Sequence, residues 1–236
     1  MPNTIYFDPS VSLEDRLEVV FNELGIREEK RTIIVTYLAP LRDKGPIFRE
    51  HYEHSIRVAL VARAIAKFMR LDDKALFYAG ILHDIGKVMT NPATLGKTNG
   101  WTEEDAREME AHAMDGWRLL RGRFDFTADV IVRHHMFQRR GYPQNLPPYT
   151  HDFSCDTVAE IDLYARILAL ADVYDAMHRI NDATGGQALS GEEIQRRMLD
   201  SNPDQRHLVG ELYAADILTT RIYQPKAVDT EPITAV

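Results

Sequence analysis

Cysteine is almost absent from the 236 residues: Cys155 stands alone. With no partner in the chain it closes no internal disulfide, which points to a reducing compartment and away from a stapled secreted fold. Neighbouring His151 and Asp152 suggest a Cys/His nucleophile pair, but residues 147–154 read as a loop, and the thiol is taken as incidental. Long apolar runs are missing too, none approaching the roughly 18 residues that span a bilayer. Residues 1–8 lack a basic stretch followed by an apolar one, so no secretory signal is expected. No membrane and a cytoplasmic location are the expectation. Nor is there a tract dense in Lys and Arg. The chain carries 28 Lys+Arg against 36 Asp+Glu, a net charge of −8, which argues against holding a nucleic-acid polymer by counterion release. A small anionic ligand would need cations, metals included, concentrated locally. Strand-type alternation is scarce, and no repeat or low-complexity tract occurs.

What is present is ordinary globular composition, 44% hydrophobic and 27% charged, enough for one generous core and one main domain. Helical spacing runs nearly throughout. Ser12 and Asp15 resemble a capping box ahead of Leu17, Val20 and Phe21, with Gly25 as the stop. A second helix is expected over 28–41, although residues 32–36 would also suit a strand. Pro46 is placed for the first turn of a long helix reaching Arg70. Asp72 caps the next, which holds Leu76, Ala79, Leu82 and His83 and is expected to end at Gly86. Thr102 with Asp105 opens another. Asp125 or Thr127 would cap a helix containing Val130, Ile131, His134 and His135. A long helix is expected over 157–180, and Ser190 with Glu193, then Asp204, would start the last two. Three regions follow: a helical lead-in over 1–48, a main domain over 49–222 and a flexible tail over 223–236. Apolar faces in the lead-in would bury against the core or a second subunit, which makes a homodimer one expectation.

Chemistry concentrates in five places along these helices: His54, His83 with Asp84, His112, the pair His134-His135, and Asp172. Imidazole nitrogens and carboxylate oxygens suit borderline metals such as Zn, Fe, Mn or Ni. A helical bundle can bring such side chains to its centre. Adjacent residues on a helix point about 100° apart, so His83-Asp84 and His134-His135 would serve two ions or straddle one, with Asp84 as the natural bridge. A single histidine in a helix is usually a packed or surface residue. The order of the set is what lifts it above coincidence.

In that order, with His83-Asp84-Ile85-Gly86-Lys87, Lys97-Thr98-Asn99-Gly100-Trp101, His112-Ala113-Met114-Asp115-Gly116, Gly141-Tyr142-Pro143 and Ala171-Asp172-Val173-Tyr174-Asp175-Ala176, the sequence resembles the HD superfamily of metal-dependent phosphohydrolases, and within it the HD-GYP branch. The likeness covers about residues 50–180. It implies an all-α HD-domain bundle with a buried di- or trinuclear metal site. His54, His83, Asp84 and Asp172 would hold one ion, and Asp84, His112, His134 and His135 a second. Glu50, one turn before His54, fits a third. The implied cofactors are two or three divalent transition-metal ions, Fe or Mn first, with Zn, Ni and Co as alternatives. The implied reaction is hydrolysis of a phosphate ester by metal-activated water, with Asp84 bridging and orienting the ions and Lys87 beside the cluster neutralising a phosphate oxygen. Substrate contacts would come from Lys87, Lys97, Arg139, Arg140 and Tyr142, and the partner would be a small nucleotide or phosphate ester.

Two departures bear on the substrate. Family members usually follow the paired histidines with acids, whereas this chain reads Met136-Phe137-Gln138-Arg139-Arg140. Where members commonly carry an Arg-Pro-Tyr-Arg/Lys clamp for cyclic di-GMP, Asn181-Asp182-Ala183-Thr184 stands here. The stretch from Gln144 to Asp156 is also longer than the family's link, and Tyr149, His151 and Phe153 in it would line a pocket wall. A cyclic-dinucleotide phosphodiesterase is therefore one expectation. An HD-type nucleotidase or phosphomonoesterase is the alternative, and a catalytically quiet metal-bound signalling module is a second.

Overall fold

Ser12 opens the first helix by accepting the Asp15 amide, and α1 (Leu13–Glu23) turns Leu17, Val20 and Phe21 into the core. Its chain reverses at Gly25, where φ is +58°, a value that costs glycine little. In the computed structural model, which describes residues 11–97, 99–179 and 187–220, every regular element is helical. The expectations placed on residues 1–8, 180, 181–184 and the tail after 223 lie outside these residues.

The stretch that suited either strand or helix becomes α2 (Glu28–Asp43), because Ile34, Leu38 and Leu41 fall on one helical face and are buried together. Pro46 starts α3 (Pro46–Met69), which ends in a left-handed Arg70. Asp72 accepts the Lys74 and Ala75 amides to start α4 (Asp73–Leu82). These two helices pack closely, and a Cβ placed on Gly80 would lie 2.5 Å from the Ala59 Cα. A single turn, α5 (Pro92–Leu95), comes before α6 (Glu103–Leu120), whose Thr102/Asp105 capping box is complete. Then come α7 (Asp125–Ile131), α8 (Cys155–Met177) capped by Ser154, α9 (Gly191–Ser201) capped by Ser190, and α10 (Arg206–Ala214). The apolar faces of α1 and α2 join one continuous core with α3, α4, α6, α7 and α8, for instance Phe21 edge-on to Phe77 at 5.9 Å. No helix among the described residues is long and apolar enough to cross a membrane.

Three boundaries differ from the sequence reading besides that of α8, which runs Cys155–Met177 rather than over 157–180. The helix before Gly86 stops at Leu82, leaving His83 as its C-cap, and Ile85–Met89 winds as a 3-10 turn. Packing explains this. Gly86 presses on α6, where a Cβ would meet the His112 carbonyl and the Gly116 nitrogen. The second difference is α7, which ends at Ile131, so that His134 and His135 sit in the turn beyond it. Neither Asp125 nor Thr127 caps it, since Phe124 is the N-cap and Asp125 accepts the Gly122 amide. The third is α10, which begins at Arg206 because Asp204 is gripped by the Arg166 guanidinium at 2.7 and 2.8 Å.

The long link after Gln144 is pinned to the bundle. Asp129 accepts the Trp117 indole N–H with one oxygen and the Thr150 amide and hydroxyl with the other. Tyr149 and His151 line a cleft of about 440 Å³ together with Trp117, Arg121 and Asp125, and Phe153 packs edge-on to both rings.

Candidate metal centre

Five segments converge on one buried point. α3 delivers His54, the end of α4 delivers His83 and Asp84, α6 delivers His112, the turn after α7 delivers His134 and His135, and α8 delivers Asp172; all seven are buried. Asp84 divides its two oxygens between two sides. Its Oδ2 lies 3.6 Å from His54 Nε2 and 3.4 Å from His83 Nε2, while Oδ1 lies 3.4 Å from His112 Nε2. Asp172 Oδ1 stands 3.1 Å from His54 Nε2 and 3.8 Å from His83 Nε2. Ligand atoms within 4.8 Å of one another form three overlapping sets: Asp84, His112, His134 and His135; His54, His83 and Asp84; and His83, His134 and Asp172.

Which nitrogen faces inward is settled by what the other one does. His83 Nδ1 donates to the Gly80 carbonyl, His112 Nδ1 to Met109 and His134 Nδ1 to Ile131, each three residues back in the chain. His54 Nδ1 donates instead to Asp175 Oδ2 at 2.7 Å. In every case the Nε2 lone pair is left pointing at the centre, the arrangement a ligating imidazole needs. His54, His83 and His134 Nε2 and Asp84 Oδ1 are buried without a hydrogen-bond partner. Buried unpaired polar atoms cost about 1–3 kcal/mol each, and a shared cation removes that cost, so this donor set fits divalent metal. His135 is held differently: Gln138 Nε2 sits 2.7 Å from its Nδ1, and its Nε2 faces His112 Nε2 at 3.2 Å.

Electrostatics agree with the geometry. Burial pushes the His83 imidazole down to about 4 and that of His112 to about 3, so both are neutral at pH 7, the form that ligates. Burial opposes ionisation of Asp84 and Asp172, yet the surrounding His83 and Lys87, and His54 and His83, hold the two carboxyls well below the usual carboxylate range. Tyr142 forms one wall, stacked on the His135 ring at 4.4 Å and edge-on to His112 at 5.9 Å. Burial, then Asp172 and Asp84, pushes its phenol well above its ordinary value.

Other residues singled out from sequence scatter. Lys87 belongs to the centre: its Nζ donates to Asp84 Oδ2 at 2.6 Å and is buried. Lys97 is held by Asp105 at 2.5 Å, inside the cap of α6. Arg139 and Arg140 are exposed, with Arg140 3.4 Å from Glu103 and 3.9 Å from Glu110. Glu50 is exposed and pairs with Arg179 at 3.4 Å, outside the three ligand sets. Arg179 Nε lies 3.8 Å from Asp175, which Arg57 grips with two nitrogens at 2.7 and 3.1 Å.

Two residues of the centre escaped the sequence reading. Asp175 orients His54, and its signal was its place one turn after Asp172 on the same helix face. His51 is buried one turn before His54, with Nδ1 3.8 Å from Asp84 Oδ2. The signal there was the three-residue spacing of histidines on α3.

A family model described as the HD domain matches residues 51–177, the span that contains every member of this cluster. The chain is 33% identical over 178 residues to the cyclic di-GMP phosphodiesterase response regulator RpfG of Xanthomonas campestris pv. campestris, covering 71% of this chain and 43% of that protein. It is 24% identical over 198 residues to 3'3'-cGAMP-specific phosphodiesterase 1 of Vibrio cholerae, covering 80% of this chain and 39% of the relative. It thus spans less than half the length of these curated relatives. Among solved structures, the HD domain of the phosphodiesterase PgpH from L. monocytogenes superposes with a TM-score of 0.48 at 19% identity, over 75% of this chain and 86% of that one. With the His and Asp-Lys pattern gathered from five segments and the family model spanning more than half the sequence, the chain belongs to the HD domain family.

Proposed function

We propose that the chain is a metal-dependent phosphohydrolase that cleaves a phosphodiester of the cyclic-dinucleotide type. The observation that carries this reading is Asp84, one carboxylate with an oxygen for each of two histidine sets, which suits two adjacent cations. When bound, such a pair supplies Lewis acidity to phosphoryl oxygens and lowers the pKa of water. This chain's own residues do the rest. His54, His83, Asp84 and Asp172 hold one side, and Asp84, His112, His134 and His135 the other. Lys87 brings an ammonium to the edge of the centre for a phosphoryl oxygen, and Tyr142 closes the wall beside His135 and His112. Two identified relatives are named as phosphodiesterases for cyclic di-GMP and 3'3'-cGAMP, which supports a cyclic dinucleotide as the substrate class.

Two cations rather than three is the reading favoured by Glu50, whose carboxylate pairs with Arg179. Fe or Mn is proposed, with Zn, Ni and Co as alternatives. Arg139, exposed beside the histidine pair, is the proposed outer contact for substrate phosphate, while Lys97 and Arg140 are engaged by acids. The exposed Arg139-Arg140 turn, in place of the family's acids, favours a second reading, a nucleotidase or phosphomonoesterase using the same centre. The deciding experiment is a substrate panel of cyclic di-GMP, 3'3'-cGAMP, an aryl phosphodiester and nucleoside monophosphates, offered to anaerobically purified protein loaded with Fe(II) or Mn(II), with metal content measured in parallel. Cleavage of a cyclic dinucleotide is expected. Turnover confined to monoesters selects the second reading, and bound metal without turnover of any substrate sinks both.

A further inference from the structure

α3 brings two histidines to the centre, with ring centroids 6.5 Å apart. His54 belongs to a ligand set and His51 to none. What His51 faces instead is the Lys87–Asp84 pair, with Asp84 Oδ2 3.8 Å from its Nδ1. The same Nδ1 lies 3.5 Å from Lys87 Nζ, and both residues are buried. A lysine ammonium only donates, so the nitrogen that meets it is the ring's acceptor and the ring proton sits on Nε2.

Lys87 also donates to Asp84 Oδ2 at 2.6 Å. That oxygen is the one turned toward His54 and His83. An oxygen committed to a divalent cation is a poor acceptor for a second positive group, because the cation draws on the same lone pairs. His51 Nδ1 is the other acceptor beside this amine. Its neutrality matters. A carboxylate there would pair off the charge of Lys87, whereas an imidazole holds the amine in place and leaves its charge for an anionic oxygen.

We propose that His51 is a positioning residue for Lys87: its Nδ1 accepts one N–H of the ammonium and so aims the N–H that Asp84 does not take at the phosphoryl group of the substrate. This rests on the reading of Lys87 as a phosphate contact.

The test uses the whole 236-residue chain loaded with metal, with inorganic phosphate as the probe in titration calorimetry and metal content measured on every variant. His51→Asn keeps an acceptor where Nδ1 stands, His51→Gln moves it outward, and His51→Leu removes it. Loss of one hydrogen bond to a charged group predicts that His51→Leu and His51→Gln weaken phosphate binding about tenfold. His51→Asn should stay within about twofold of the parent, and adding His51→Leu to Lys87→Ala should change affinity by no more than about twofold. Metal stoichiometry should stay constant throughout. The proposal is overturned if His51→Leu binds phosphate like the parent, if His51→Asn is as weak as His51→Leu, if the Lys87 and His51 losses add, or if metal is lost with His51. Parent protein that cleaves the phosphodiester panel yet shows no phosphate affinity overturns this inference alone. Phosphate binding that follows the predicted order without any turnover overturns the proposed function alone.

Discussion

Asp84 is the residue on which the centre turns, because removing it leaves His54, His83 and His112 around an unfilled gap in a buried site. Asp84→Ala is expected to lose most bound metal and all hydrolysis while far-ultraviolet circular dichroism stays near that of the parent. Hydrolysis retained by this variant would show that the bridging role is wrong. One shell further out, Asp175 fixes the proton of His54 on Nδ1. Outer partners of this kind are worth about 10–100-fold in metal affinity, so Asp175→Asn should weaken binding by that factor in a competition with a chromogenic chelator. An unchanged affinity would assign Asp175 to its ion pairs with Arg57 and Arg179. Asp105 supplies a pH test away from the metal. Hydrogen bonds from Lys97, then Thr102, hold its carboxyl at about 2, against an ordinary 3.8. The folded value is the lower one, so its stabilisation is complete above pH 4 and is lost as pH falls from about 4 to about 2. Lys97→Met should move the Asp105 titration upward by carbon-13 NMR, and a curve that does not move would remove Lys97 as the cause.

Individual elements place the ligands by where they stop as much as by where they run. Gly86 shows why. It sits in the 3-10 turn after His83-Asp84, and a Cβ there would be within 2 Å of the His112 carbonyl oxygen, at 1.9 Å. The His112 carbonyl and the Gly116 nitrogen that it would meet both belong to backbone, so neither can swing away. Gly86→Ala is therefore expected to push the turn off α6 and separate Asp84 from His112, seen as loss of metal affinity at nearly unchanged helicity. Parent-like affinity would mean that the turn yields without moving its ligands. The start of α6 offers a milder comparison. Thr102→Ala removes one half of the capping box and is expected to reduce stability by about 1 kcal/mol, read as a lower urea midpoint with the same slope. Caps such as Ser12, Asp72, Thr102 and Ser190 were legible because they act on amides two or three residues away. The helix end at Leu82 was not, because the close approach of Gly86 to α6, distant in sequence, decides it.

At the scale of the whole molecule, one core holds α1 through α8, and the metal centre sits where five segments of that core meet. Binding to the folded chain alone adds about 2.7 kcal/mol at a free metal concentration a hundred times the Kd. Stripping metal with a chelator should then lower the melting temperature, and returning Mn(II) should restore it. A melting temperature indifferent to metal would place the cations outside the core. The sequence by itself determined that the chain is helical, which residue types could ligate metal and their order, and the family to which it belongs. These are local matters, set by periodicity, caps and the chemistry of side chains. Only the tertiary structure decided that His54, His83, His112 and His134 turn Nε2 to the centre, that Lys97 belongs to the α6 cap and Glu50 to Arg179, and that His51 and Asp175 stand beside the ligands. Those outcomes depend on hydrogen bonds and ion pairs between side chains up to 129 residues apart, such as Arg179 with Glu50, and no local pattern encodes a partner at that distance.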